Sequence, residues 1–232
     1  MSSNADAESL SFSLCPMPIS LLGKRLWNAL AIVGTILQAN LRMSKILTPL
    51  ISTELIDARG TAEPQGVSTI FYPMIENILA NVTGGVSLPV EYPAGAAQNT
   101  STGENFVLDI INGGLRHCPG QKYALFGYSQ GATLILKVLS QLDRSALHLV
   151  KSVILVGNPY RIPGKMSSVN ETGQRDYSDS VGMFTLSARA GNKNATVPQL
   201  WNEVDHSGKV LDYCLTVSIH LIIFLDRPTE YG

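Results

Sequence analysis

Gly127-Tyr128-Ser129-Gln130-Gly131 concentrates more chemistry than any other stretch of this chain. A serine hydroxyl is a weak nucleophile until a base takes its proton, and a serine flanked at two residues by glycines suits a sharp turn from strand to helix. Such a turn lifts the hydroxyl to a helix N-terminus, where backbone N–H groups and the helix dipole favour a developing anion. The implied reaction class is acyl transfer through Ser129. Where a serine is activated in this setting, the acid and then the histidine follow it in the chain, which leaves His148, His206 and His220 as possible bases.

The elements needed to hold such a turn are legible on both sides of it. Tyr123 to Gly127 is a compact apolar strand, and Gly131 to Leu142 carries Leu134, Ile135, Val138 and Leu139 at helical spacing. Upstream, Glu54 to Ala58 reads as a buried strand ending in the turn signal Arg59-Gly60. Val67, Ile70, Phe71, Met74, Ile75, Ile78 and Leu79 then form a helical stripe. Val86 to Tyr92 is a second strand weakened by Pro89, and Ser101 or Thr102 caps a helix carrying Phe106, Val107, Ile110, Ile111 and Leu115. Val150 to Val156 is apolar enough for a strand covered on both faces. Met183 to Leu186 and Lys209 to Tyr213 are weaker strand signals. This alternation predicts an α/β fold, a mostly parallel sheet between helices, with functional loops at the strand C-terminal ends.

Cys118-Pro119, the strand after it and Gly-Tyr-Ser-Gln-Gly together resemble the central block of fungal cutinases. Ala58-Arg59-Gly60-Thr61-Ala62-Glu63 is similar to the loop after their first core strand, and Gly157-Asn158-Pro159-Tyr160 to a segment of relatives that include acetylxylan esterases. The resemblance covers about residues 53 to 214. It implies a small lid-free α/β hydrolase that cleaves carboxylic esters with a Ser-Asp-His triad and an acyl-enzyme, and with no cofactor. It places oxyanion donors at the Gln130 backbone N–H and at Thr61. The residue pattern also lets Thr61 act as a helix N-cap, and Arg59 reads as a structural guanidinium tying its loop to a carboxylate or carbonyl. By position in the fold the resemblance selects His220 as base. The family's acid stands four residues after a cysteine like Cys214, where this chain has Ser218, so Asp212 is the first substitute and Asp205 the second. The family's cysteine just before Arg59 is absent too, leaving Cys118 without its usual partner.

Composition limits the remaining options. With 17 Lys+Arg against 18 Asp+Glu there is no basic surplus for a phosphate backbone, so nucleic acid is not expected as a partner. Hydrophobic residues at 45% and charged residues at 15% suit a packed globular domain. Three cysteines, Cys15, Cys118 and Cys214, cannot all pair internally. Lys24 and Arg25 precede a short apolar run from Leu26 to Leu37, too short for a stable membrane span and fitting a secretory signal, with a buried helix as the alternative. Residues 1–50 are therefore expected to be a signal-like, poorly ordered segment, and residues 51–232 the catalytic domain. Sequons at Asn81, Asn99, Asn170 and Asn194 agree with a secreted, glycosylated protein, and a monomer is expected. Its expected partners are cutin or acetylated plant polysaccharide. The missing acid also motivates a second reading, a catalytically impaired binding or structural relative.

Overall fold

The computed structural model describes residues 53–170, 172–191 and 197–214. Six strands form one sheet in the order β2-β1-β3-β4-β6-β5: β1 Thr53–Ala58, β2 Gly85–Pro89, β3 Lys122–Tyr128, β4 Val150–Val156, β5 Ser168–Val169 and β6 Val210–Tyr213. Every pair of neighbouring strands is parallel. That arrangement demands crossovers, and the helices supply them. In chain order these are α1 Tyr72–Asn81, α2 Ser101–His117, α3 Gln130–Gln141, α4 Arg144–Leu149, α5 Met183–Gly191 and α6 Asn202–Asp205.

Helices cover both faces, which is why β4 is largely apolar and why β1 buries even Glu54 and Asp57. On one face α1 brings Ile75, with Phe71 at its N-cap, against Leu55, Phe126 and Val156, and the Phe71 and Phe126 rings lie 5.3 Å apart. On the other, α2, α3 and α4 close the larger core, in which Ile56, Val107, Ile111, Leu125, Leu134 and Ile135 are fully buried. Replacing a fully buried Leu or Ile here by Ala would cost about 2–5 kcal/mol.

Three elements differ from the sequence expectation, and the N-cap of α2 is Thr100 rather than Ser101 or Thr102, which lie inside the helix. The stripe beginning at Val67 becomes helical only from Tyr72, because Pro73 fits the first helical turn, where no N–H is needed. β2 stops at Pro89 rather than Tyr92, although the Val90 N–H still donates to the Asp57 carbonyl at 2.8 Å. Met183 to Leu186, expected as a strand, opens helix α5. The Phe184 N–H donates to the Pro159 carbonyl at 2.9 Å, which docks the start of this helix on the loop after β4. Four apolar or β-branched residues fit either element, and this tertiary bond decides for the helix. Expectations for residues 1–50, for Asn194 and for Ser218 and His220 lie outside the described residues.

The register brings Ala58, Tyr128, Val156 and Tyr213 together at one edge of the sheet. This is the C-terminal edge of the strands, where α/β sheets place their chemistry.

Candidate active site

Ser129 stands between β3 and α3 with φ +51° and ψ −112°, a backbone region costly for a residue with a Cβ. The surrounding chain forces it there. A Cβ on Gly127 would lie 2.7 Å from the Gly131 carbonyl oxygen, and one on Gly131 would lie 1.8 Å from the Ala58 carbonyl oxygen. Both glycines are thus required by close approach of α3 to β3 and to the end of β1. The Ser129 N–H donates to the Val156 carbonyl at 2.9 Å, which pins the turn to β4, while the Ala132 N–H donates back to the Ser129 carbonyl at 2.9 Å.

The loop after β1 lies beside this turn. Arg59, buried, donates to the carbonyls of Glu63 and Tyr92 at 2.8 and 2.5 Å, to that of Val90 at 3.3 Å, and to the Gln65 side chain at 2.8 Å. It is the structural guanidinium the sequence suggested. Glu63 accepts from the Gly60 N–H at 2.5 Å, the Ser68 hydroxyl at 3.1 Å and the Thr69 N–H at 2.9 Å. Burial alone would raise its pKa, but these donors and the Thr69 hydroxyl outweigh burial and hold it below the ordinary value. Asp57, fully buried, takes the Ser68 N–H on Oδ2 at 2.5 Å, while its Oδ1 has no partner. Burial pushes this carboxyl up to about 7, the Ser68 bond and Arg59 opposing and Glu63 adding to the rise.

Thr61 is carried by this braced loop to the residue next to Ser129. Its hydroxyl donates to Gln130 Oε1 at 3.2 Å and accepts from Gln98 Nε2 at 2.9 Å, and Gln130 Nε2 donates to the Gly95 carbonyl at 3.2 Å. The Ala62 N–H also donates to the Ala94 carbonyl at 2.8 Å. Three loops therefore converge on one polar knot. The backbone N–H groups of Thr61 and Gln130 have no acceptor among the described residues, and Gln130 is fully buried. A buried N–H with no acceptor, as at Gln130, is a place for a ligand's negative charge, and the exposed Thr61 sets a second donor next to it. Thr61 is no helix N-cap, since α1 begins eleven residues later at Tyr72.

Gln98 is a residue the sequence reading missed. It lies in an irregular loop after Pro93, Ala94 and Gly95, where no periodicity marks it, and only the fold brings it to Thr61.

The other expected triad members fall elsewhere. His148 ends α4 just before β4, and His206 follows α6 just before β6, so both stand at the N-terminal edge, opposite Ser129. Asp205 lies at that same far edge, accepting from the N–H groups of Met166 and Ser167 and from the Ser167 hydroxyl. Asp212 sits within β6, buried, and Asn158 Nδ2 donates to its Oδ2 at 2.9 Å. Arg161 Nη1 lies 3.4 Å from its Oδ1 and also donates to its backbone carbonyl. Burial pushes Asp212 up to about 6, with Arg161 and Asn158 opposing. Among the described residues neither Asp212 nor any histidine hydrogen-bonds Ser129. Cys118, expected to lack its usual partner, is disulfide-bonded, and Cys214 is free. Among the described residues no cluster of His, Cys, Asp or Glu is arranged to hold a metal, and no helix is long and apolar enough to cross a membrane.

Residues 51–214 match the family model described as Cutinase. A cutinase of Hypocrea jecorina is 30% identical over 122 residues, covering 48% of each chain. A probable carboxylesterase, Culp3, of Mycobacterium tuberculosis is 30% identical over 130 residues, or 50% of each. This chain thus spans about half the length of the curated relatives it matches. Among solved structures, a cutinase-like protein from Cryptococcus sp. superposes with a TM-score of 0.61 at 33% identity, covering 70% of this chain and 75% of that one. The catalytic core of acetyl xylan esterase from Trichoderma reesei shares the fold, with a TM-score of 0.51 at 21% identity over 70% of this chain and 82% of that one.

Proposed function

This chain belongs to the cutinase family, and from that premise we propose that it is a serine carboxylic-ester hydrolase acting through Ser129. The observation that carries the proposal is the pair of N–H groups, of buried Gln130 and exposed Thr61, that have no acceptor among the described residues and stand at a serine held at a costly backbone angle. In the proposed reaction Ser129 Oγ loses its proton to a base and bonds to the ester carbonyl carbon, whose oxygen becomes an anion held by those two donors. Collapse expels the alcohol, which takes the proton, and water then releases the acid from the acyl-enzyme. Each donor is worth about 10² to 10³ in rate. His220 is the proposed base, since His148 and His206 lie at the far edge and His117 ends α2 ahead of β3.

Cutin-like polyester and short acyl or acetyl esters are the proposed substrates. At the Ser129 edge α5 presents Met183 and Leu186, 45% and 53% exposed, beside Tyr160 and Phe184, whose tilted rings lie 5.5 Å apart, which supports an ester with an apolar acyl part. Secretion and monomeric state are proposed with it, and glycosylation at Asn81 and Asn99 is supported by their exposure.

A specific observation favours the second reading, a catalytically impaired relative. Asp212, the proposed acid, has its described partners in Asn158 and Arg161, which make it a lock between β6 and the loop after β4. Hydrolysis of p-nitrophenyl butyrate by the wild-type chain and by Asp212→Asn separates the readings. A fall of about 10⁴ in turnover with thermal stability kept assigns Asp212 as the acid. A fall in stability with the same residual turnover assigns it to the lock.

A further inference from the structure

At the N-terminal edge of the sheet, opposite Ser129, α3, α4, β4, α6 and β6 enclose an open cavity of about 160 Å³. Its wall is apolar: Leu139, Val150, Val153, Val204 and Val210 are all buried core residues. Its rim carries two cations, Arg144 and Lys209, and the His148 ring, against one carboxylate, Glu203. Arg144 and Glu203 pair at 3.1 Å, but both are largely exposed, so water screens this pair and little is lost when it opens.

Lys209 is the odd member of the group. It is half-buried, its Nζ donates only to the Leu147 carbonyl at 3.3 Å, and it forms no ion pair among the described residues. Burial pulls its pKa down, and the neighbouring charge of Lys151 pulls it further. A partly desolvated cation with a like-charged neighbour is stabilised by an anion.

A dry pocket of about 150 Å³ suffices for a benzene-sized molecule, so this one takes a chain of roughly six carbons. We infer that the cavity binds a short aliphatic monocarboxylate, its chain against Val150, Val153 and Val210 and its carboxylate between Lys209 and Arg144. The apolar wall alone would accept an alcohol or an alkane equally well, and the rim selects the anion. Binding here needs nothing of Ser129, so the inference stands apart from the proposed esterase reaction.

Hexanoate, acetate and hexanol titrated into the full chain and followed by backbone amide shifts provide the test. Hexanoate is expected to saturate shifts at Val150, Lys209 and Val210 below about 10 mM, a weak-ligand affinity. Each methylene between acetate and hexanoate should tighten binding by about fourfold. Lys209→Gln should weaken hexanoate about tenfold while leaving hexanol unchanged. Ser207→Trp, which fills the cavity from an exposed rim position, should abolish the shifts without unfolding the chain. Equal binding of hexanol and hexanoate would overturn the inference, as would shifts confined to Thr61 and Gln130 or no saturable shift at all.

Discussion

Two polar side chains of the site region, half-buried Gln98 and buried Asp57, carry separable consequences. Gln98 touches Thr61 and not the serine, so its amide acts by fixing where the Thr61 hydroxyl and N–H stand. Gln98→Ala is therefore expected to lower kcat/KM on p-nitrophenyl butyrate about tenfold, part of the worth of one oxyanion donor. Chemical denaturation of the same variant should shift by under about 1 kcal/mol, as for most half-exposed positions. Asp57 acts through titration instead. Its carboxyl is raised from 3.8 to about 7 by burial, so the unfolded chain gives up this proton at lower pH than the native chain does. The native state then binds more protons across that window, and stability falls as the pH rises through it. Asp57→Asn keeps an acceptor for the Ser68 N–H and removes the charge. Its melting temperature relative to wild type should climb from about pH 4 to about pH 7 and stay level above, the gain growing by at most about 1.4 kcal/mol per pH unit. A difference that does not vary with pH would contradict this assignment.

Among the elements, α3 bears the greatest constraint, since its first turn is wedged between β1 and β3 at Gly131. Gly131→Ala would place a methyl group onto the Ala58 carbonyl, within fixed backbone that cannot turn aside. Loss of about 3 kcal/mol or more by chemical denaturation is the expected result. Gly113, in the middle of α2, gives the opposite sign: nothing lies within 4 Å of an added Cβ, so Gly113→Ala should gain about 0.5–1 kcal/mol. Equal effects at the two positions would show that close approach is not what the elbow glycine serves. The same contrast explains what the sequence reveals of the elements. β1, β3, β4, α2 and α3 declare themselves by apolar runs or by helical spacing, because burial acts along the length of each strand or along one face of each helix. Met183 to Leu186 carries the same residue types in a short stretch, and its helical state is set by a bond to Pro159 that no local pattern contains.

For the whole molecule, the sheet order brings three loops and a helix terminus to one edge and leaves an apolar cavity rimmed by Arg144 and Lys209 at the other. That Ser129, Gln130 and Thr61 stand together was legible in advance, because a sharp turn leaves a strict residue pattern and because the resemblance covers those segments. Gln98 was not, since its role comes from a loop crossing between distant segments. The partners of Asp212 were hidden for a related reason: Asn158 and Arg161 stand more than fifty residues earlier, and only the parallel pairing of β4 with β6 joins them. What unites these parts is the claim that Ser129 is an activated nucleophile facing a preformed anion pocket. Reaction of the full chain with a fluorophosphonate ester, mapped by peptide mass spectrometry beside p-nitrophenyl butyrate turnover, tests it most directly. The account expects one adduct, on Ser129, and loss of both adduct and turnover in Ser129→Ala with the fold kept. An adduct on another residue, or turnover undiminished in Ser129→Ala, would contradict it.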